Sequence, residues 1–266
     1  MGLCAVLAVI GVIPLTYGEN TPAAPPVAPA PAVTPPATRP VAPPEAPPAP
    51  PTVVYLDEAR TVKVDLQAKT LEIPAAVVQR GGIIELALCS TISPNARSHE
   101  SCFTTPVPPS LVHAGLNLLG LKEGKPAAFA GQEALPTGAQ VFVYVIWTAK
   151  AEDGTETSRR VRLEDLIFNR LTQEPMMRVA WIFCGSSMFK NKEGREIYEA
   201  DAEGTVISTW RCTTTVLDNP LPEGSDDTVF FSLKEAMPPL GTPVTFLFSP
   251  VDLDPPDEQK EKGPVE

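Results

Sequence analysis

The chain has 266 residues, 32 of them proline, and a formal net charge of −11. Nucleic acids and anionic membrane faces bind basic surfaces, so this acidity excludes nucleic acid as an expected partner. The chain contains two histidines, His99 and His113. They are the side chains best suited to proton transfer or metal ligation near neutral pH.

The N-terminal part of the chain predicts export. Residues 2–14 form a short apolar run, and Thr16 and Gly18 supply small residues at the −3 and −1 positions of a secretory cleavage site. We interpret residues 1–18 as a signal peptide that directs the protein to the periplasm or cell envelope. An uncleaved N-terminal segment that tethers the protein to the membrane is the alternative. Residues 19–52, rich in proline and alanine, predict a disordered, extended linker.

Residues 53–251 are expected to form the globular domain. Alternating or continuous apolar runs predict strands at residues 61–66, 70–73, 83–89, 141–147, 159–163, 179–184, 205–210, 228–233 and 244–248. The first two should pair as a hairpin, and residues 141–147 should lie at the centre of the core. Residues 252–266 are charged and interrupted by proline, which predicts a disordered acidic tail.

Two helices are predicted among these strands. In the first, at about residues 109–120, Val112, Leu116 and Leu119 share an apolar face. Ser110, His113 and Asn117 form one narrow polar stripe, so the helix should be buried on most of its circumference. A short amphipathic helix is predicted at about residues 163–171. The fold class is therefore expected to be α+β and mainly antiparallel β, with an all-β sandwich as the alternative.

Four cysteines remain after removal of the signal peptide: Cys89, Cys102, Cys184 and Cys212. In an exported protein they could form two disulfides, Cys89 with Cys102 and Cys184 with Cys212. Four buried free thiols are the alternative. Their spacing fits no iron–sulfur motif, so no such cluster is expected.

The candidate site is built on His99, Glu100 and His113. Two imidazoles and a carboxylate form the ligand set of an open zinc site, so a divalent transition metal is the cofactor to test. Alternatively, Glu100 orients an imidazole that activates the Ser101 hydroxyl or a water molecule. In a third, structural interpretation, His99 ties its loop to the helix by bonds to Ser110 or Asn117. We predict no catalytic residue and take the ligand-binding set as His99, Glu100, Ser101, His113 and Asn117.

Several segments resemble the YdjY domain family of bacteria. They are Ser98-His99-Glu100-Ser101, residues 109–124, residues 181–186, residues 198–204 and residues 238–245. The resemblance implies an exported bacterial domain of uncharacterised function, with His99, Glu100, Ser101 and His113 matching the family pattern. Cys102 and Cys184 depart from it, which suggests a local disulfide rather than a redox centre of the family.

Together these patterns favour a non-enzymatic envelope module that binds a small ligand or an envelope protein near His99 and His113. A metal-dependent, hydrolase-like enzyme that uses His99, Glu100 and His113 is the alternative. A membrane is expected as a partner only through an uncleaved N-terminal segment.

Overall fold

The computed structural model describes residues 52–151 and 153–254. The predicted signal peptide, almost all of the linker and most of the acidic tail lie outside these residues. The strands are β1 Val53–Tyr55, β2 Lys63–Asp65, β3 Thr70–Val77, β4 Leu86–Ser90, β5 Ser101–Thr105, β6 Glu123–Lys125, β7 Thr137–Lys150, β8 Glu156–Arg162, β9 Ile167–Asn169, β10 Glu174–Pro175, β11 Trp181–Phe183, β12 Met188–Lys190, β13 Glu196–Tyr198, β14 Thr205–Ser208, β15 Leu217–Asp218, β16 Phe230–Ser232 and β17 Pro243–Ser249. The α-helices are α1 Pro109–Leu118 and α2 Glu199–Glu203, and short 3₁₀ turns span Ser98–Glu100, Leu163–Leu166 and Pro222–Ser225.

Eight strands of the described chain close into a barrel. Their order is β3-β17-β7-β11-β15-β14-β4-β5, and the ring closes because β5 also pairs with β3. Closure removes the unpaired strand edges that an open sheet would present. Most neighbours are antiparallel, whereas β4–β5 and β14–β15 are parallel.

The predicted α+β class is therefore wrong. Helix accounts for 13% of the structure, which lies closer to the all-β alternative, although the sheet closes into a barrel rather than forming a two-sheet sandwich. The difference arises from pairings between strands far apart in sequence, such as β3 with β17 and β5 with β3. Local periodicity predicts where strands form but not which distant strands pair with each other.

Large apolar side chains fill the barrel. Phe103 on β5 packs edge-to-face against Phe246 on β17, with ring centroids 5.1 Å apart. Val143 and Val145 on β7 are fully buried, as are Phe246 and Phe248 on β17, with which β7 pairs. The sequence prediction of a central strand at residues 141–147 is confirmed, and so is the β2–β3 hairpin.

Helix α1 exists where it was predicted but is not buried on most of its surface. Val112, Gly115 and Leu116 are buried against the barrel, whereas Asn117 is exposed and Leu118 keeps 46% of its surface exposed. A Cβ on Gly115 would lie 2.8 Å from a methyl group of Leu71 on β3, so the helix sits close to the barrel wall on this one face.

The second predicted helix does not form. Leu163–Leu166 is a single 3₁₀ turn, and Ile167–Asn169 continues as strand β9, which pairs with β10 and β16. The Glu164 carboxylate is fully buried and accepts two bonds from the Arg162 guanidinium. This inward pair contradicts the exposed polar face that an amphipathic helix would give Glu164.

All four described cysteines are buried free thiols, and neither predicted disulfide is present in the described chain. Cys102 lies on β5, inside the barrel wall, where burial raises the pKa of its thiol. No described helix is long and apolar enough to cross a membrane.

Two acidic side chains that follow residue 251 contact strand β8. Asp252 accepts a bond from the Arg162 guanidinium at 2.9 Å, and Asp254 pairs with Arg160 on the same strand. The first residues of the predicted acidic tail are therefore fixed to β8.

Candidate functional site

His99 lies in the 3₁₀ turn before β5, with 75% of its side chain exposed to solvent. Its Nε2 atom lies 3.3 Å from an oxygen of Glu100, whose other oxygen pairs with Arg97 at 3.2 Å. Arg97 also binds Glu85 at 2.6 Å. The two carboxylates and the guanidinium stabilise the turn, and His99 adds an exposed contact at its rim.

Ser101 is fully buried, and its hydroxyl donates to the carbonyl oxygen of Arg97 at 2.9 Å. It is thus committed to closing the turn that it follows. The alternative in which Glu100 and an imidazole activate this hydroxyl finds no support in the geometry. The predicted bonds from His99 to Ser110 or Asn117 are absent from the described contacts.

His113, on α1, occupies a different environment and is mostly buried. Its Nδ1 atom lies 2.8 Å from the hydroxyl of Tyr198, and its Nε2 atom contacts the Glu123 carboxylate. The ring packs edge-to-face on Phe183, with centroids 5.0 Å apart, and 18% of the side chain is exposed. His113 is therefore held on three sides while one part of it reaches the surface.

The structure does not bring His99 and His113 to a common partner. In the described chain, no group of three or more histidine, cysteine, aspartate or glutamate side chains is placed to hold a metal ion. The predicted ligand set of His99, Glu100 and His113 thus has no geometric counterpart.

Hydrogen bonding assigns the protons around His113. The Tyr198 hydroxyl donates to the carbonyl oxygen of Gly185 at 3.0 Å, so it accepts from His113 Nδ1. With Nδ1 acting as donor, Nε2 carries a second proton only in the imidazolium form. In the imidazolium form, Nε2 can donate a hydrogen bond to the Glu123 carboxylate. In the neutral form, the lone pair of Nε2 would face that carboxylate.

Burial, followed by the negative charge of Asp201 and, more weakly, of Glu123, raises the pKa of the Tyr198 phenol well above its usual value. The phenol therefore stays protonated and acts as a fixed hydrogen-bond donor at physiological pH. The same carboxylates give the surroundings of His113 a negative potential.

A pocket of about 390 Å³ opens beside His113. It is lined by Ser110, His113, Glu123, Gly185, Ser186, Ser187, Met188 and Tyr198. We call it the His113 pocket. Glu123, the first residue of β6, keeps 51% of its side chain exposed, and Met188 on β12 is also largely exposed. The pocket thus combines one accessible carboxylate with an apolar wall.

Two helices and one turn fix the walls of the pocket. The Asp201 carboxylate on α2 accepts a hydrogen bond of 2.8 Å from the backbone N–H of Ser110. Asp201 thereby caps the N-terminus of α1. The hydroxyl of Ser186 donates to Thr214 O at 2.7 Å and accepts from Ala200 N at 3.1 Å. Ser186 has a φ of 61°, an uncommon backbone conformation for a residue other than glycine.

Sequence reasoning missed Glu123 and Tyr198. They lie 10 and 85 positions after His113, so no local spacing connects the three side chains. The available signal was the resemblance, because residues 109–124, 181–186 and 198–204 all supply lining residues. Among the predicted ligand-binding residues, only His113 lines the pocket, whereas Asn117 is exposed one turn further along α1.

Gly185→Ala should damage this site. Gly185 has a φ of 82°, and an added Cβ would lie 2.6 Å from the Cβ of Glu123. We expect a loss of about 1–3 kcal/mol in the free energy of unfolding, with displacement of Glu123 from His113. Urea denaturation measures the first effect, and the NMR signals of the His113 ring report the second.

Gly154→Ala is the matched control. Gly154 has a φ of 84°, but no atom lies within 4 Å of its added Cβ. In this variant, the free energy of unfolding should fall only by the part due to backbone strain. The NMR signals of the His113 ring should stay unchanged. Equal perturbation of His113 in both variants would contradict a role of the Gly185 contact in placing Glu123.

Comparisons with known proteins supply a family but no activity. The model of the YdjY domain matches residues 62–249, most of the chain. No curated protein and no solved structure matches the chain. The biochemical role therefore has to be argued from the pocket itself.

Proposed function

We propose that this chain, which belongs to the YdjY domain family, is a non-enzymatic binding module of the cell envelope with its ligand site in the His113 pocket. One observation carries the proposal: a half-exposed Glu123 carboxylate, held against His113, at an open pocket. An exposed surface ion pair alone contributes little to stability. A carboxylate beside a pocket can instead serve a ligand.

The ligand class follows from the charges and the apolar wall. Glu123 is the one carboxylate in the lining, and Asp201 adds negative charge behind Tyr198. The His113 imidazole contacts the Glu123 carboxylate, and 51% of the Glu123 side chain stays exposed. A ligand that carries an amine or guanidinium on an apolar stem would place its charge on Glu123 and its stem against Met188.

The cellular location of the module follows from its N-terminus. The apolar run at residues 2–14 and the proline-rich residues 19–52 favour an exported domain held away from its point of attachment. The ligand is then a small cationic molecule or a lysine or arginine side chain of another envelope protein.

The hydrolase alternative needs His99, Glu100 and His113 at one centre. Glu100 is instead paired with Arg97, and His113 with Tyr198 and Glu123. No other contact of the described residues favours that alternative.

Calorimetric titration of the full-length chain with acetyl-Ala-Lys-Ala-amide tests the proposal. The matched probe replaces lysine by norleucine, which keeps the whole unbranched carbon stem and removes the charged amine. We expect the lysine probe to bind at least fivefold more tightly than the norleucine probe. Glu123→Gln should abolish this preference, because about 1 kcal/mol of ion-pair energy corresponds to a fivefold change in affinity.

His99→Ala is the control for the histidine that lies outside the pocket. It should bind the lysine probe as the unaltered chain does. Equal affinity for the two probes, or equal weakening by Glu123→Gln and His99→Ala, would contradict the proposed site.

A further inference from the structure

A second surface feature lies on the small sheet formed by β10, β9 and β16. A groove of about 480 Å³ there is lined by Gly81, Phe168, Arg170, Phe231, Ser232, Leu233, Lys234 and Glu235. It shares no lining residue with the His113 pocket. We call Phe168, Phe231, Arg170 and Lys234, with the neighbouring Arg80 and Ile83, the basic aromatic patch.

Strand register places the two phenylalanines side by side. Phe168 on β9 is the direct partner of Phe231 on β16 in the antiparallel ladder. The residues before and after each of them are buried, so both rings lie on the outer face of the sheet. Ile83, which forms a β-bridge with Phe231, keeps 46% of its surface exposed. The result is a partly exposed apolar surface, in which both phenylalanines are half-buried and Ile83 is exposed.

The groove has a well-defined wall. The Ser232 hydroxyl accepts bonds from the backbone N–H groups of Gly81 at 2.7 Å and Gly82 at 3.2 Å. Gly81 also donates to the carbonyl oxygen of Ser232. These bonds fix the 81–82 turn against β16, so the patch is preformed rather than assembled on binding.

Three cations surround the apolar surface without a carboxylate partner. Arg80 donates to the carbonyl oxygen of Lys234 at 2.8 Å, and Arg170 donates to the Thr228 hydroxyl at 2.9 Å, both neutral acceptors. In residues 52–151 and 153–254, no ion pair involves Arg80, Arg170 or Lys234.

Carboxylates lie near the patch without neutralising it. Glu235 is part of the groove lining, and Asp226 is close enough to Arg170 for the guanidinium to contribute to the lowered pKa of that carboxyl. The hydrogen bonds of Asp226, however, are made with Thr228. On a chain of net charge −11, this leaves a local excess of positive charge beside two aromatic rings.

We propose that the basic aromatic patch binds a short acidic segment of a partner protein, with an apolar side chain on the phenylalanines and flanking carboxylates on the cations. Charge complementarity selects the carboxylates, and Phe168 and Phe231 select the apolar side chain. A nucleic acid or an anionic bilayer extends its negative charge well beyond the patch and would meet the repulsion of the acidic chain around it, whereas a short segment would contact the patch alone. A small inorganic anion would leave the aromatic surface uncovered.

The tail of this same chain is a poorer occupant. Residues 255–266 contain acidic side chains, but valine is their one apolar residue apart from proline and glycine, and they contain no aromatic residue. The proposal therefore commits to a segment of another protein.

Calorimetry of the full-length chain with acetyl-Glu-Leu-Asp-Phe-Glu-amide tests the proposal. The matched probe replaces each acid by its amide, and inorganic phosphate serves as the purely anionic probe. We expect the acidic peptide to bind at least tenfold more tightly than the amide peptide. Binding should weaken severalfold between 50 and 500 mM salt, because screening reduces the attraction between exposed charges.

Arg170→Gln/Lys234→Gln removes two cations of the patch while keeping both phenylalanines. This variant should lose at least tenfold in affinity for the acidic peptide, and Phe168→Ala should lose a similar factor. Lys150→Gln/Arg159→Gln, which removes two exposed cations of β7 and β8, is the control and should change affinity by less than twofold.

Four outcomes would overturn the proposal. The first is equal binding of the acidic and amide peptides, and the second is equal loss in the two double variants. The third is binding of the acidic peptide only after removal of residues 255–266, which would make the tail of the chain the occupant. The fourth is binding of phosphate to the unaltered chain as tightly as the acidic peptide, which would exclude an aromatic contribution.

Discussion

Arg162→Met should lower the free energy of unfolding by about 3–5 kcal/mol, because it leaves the buried Glu164 carboxylate without its cation. The Arg162 and Glu164 side chains are 3% and 0% exposed and are joined by two bonds of 3.1 and 3.2 Å. The same guanidinium also donates to Asp252 and to the carbonyl oxygen of Val179. Burial raises the pKa of Glu164 despite the opposing effect of Arg162. Without the guanidinium, the carboxyl must either stay charged and unpaired or take up a proton, and both cost free energy. Urea denaturation at pH 7 measures the loss.

Two further variants make this result specific. Arg160→Met, on the same strand, removes an exposed pair with Asp254 and should cost no more than about 1 kcal/mol. Arg162→Met/Glu164→Leu removes both buried charges and should be more stable than Arg162→Met alone. If Arg162→Met were as stable as Arg160→Met, the result would contradict the importance of the buried Arg162–Glu164 pair.

The second large effect is a loss of stability with rising pH that depends on Asp218. This carboxyl lies on β15, inside the barrel wall, and burial raises its pKa to about 8 from an ordinary value of 3.8. One of its oxygens accepts a bond from Asn219 N at 2.8 Å, whereas the other is buried without a described partner. The folded state thus holds a proton that the unfolded chain releases above about pH 4.

The sign of the effect follows from this difference in proton binding. Between about pH 4 and pH 8 unfolding releases a proton, so stability falls as pH rises, by up to about 1.4 kcal/mol per unit, and levels off above pH 8. Asp218→Asn keeps an acceptor for Asn219 and removes the titration. Relative to the unaltered chain, the variant should gain several kcal/mol between pH 5 and pH 8.

Asp226→Asn is the matched control for the pH experiment. The pKa of its exposed carboxyl is lowered because the carboxylate accepts bonds from Thr228. The contribution of Asp226 to the free energy of unfolding is therefore complete above about pH 4 and is lost only in more acidic solution. The stability difference between this variant and the unaltered chain should stay constant from pH 5 to pH 8. If the stability difference between Asp218→Asn and the unaltered chain were also constant from pH 5 to pH 8, the result would contradict the assignment of a neutral, buried carboxyl to Asp218.

Local patterns predicted the strands well but not their arrangement. Residues 141–147 read as a buried strand because every side chain in the run is apolar, and β7 is buried at its centre. The barrel escaped prediction because β5 follows a turn rich in polar residues and pairs with both β4 and β3. The segment around Glu164 was wrongly predicted as an amphipathic helix. A charged residue usually indicates an exposed position, whereas Glu164 is buried in an ion pair with Arg162.

The candidate site was half predicted, for a related reason. His113 was selected by residue type and by its place on the polar stripe of α1, both of which the sequence displays. His99 was selected by residue type alone, yet its turn is organised by Arg97 with two carboxylates. Glu123 and Tyr198 reach His113 only through the packing of β6 and β13 around the helix, which no spacing along the chain encodes.

NMR observation of the two imidazole rings tests the central claim most directly. The chain has two histidines, so the ring signals of His113 and His99 can be assigned with His99→Ala alone. During titration with acetyl-Ala-Lys-Ala-amide, the account predicts a saturable shift of the His113 signals, as the probe takes its place on Glu123, while the His99 signals stay fixed. Shifts of His99, or an unchanged His113 at saturating probe, would contradict the assignment of the ligand site to the His113 pocket.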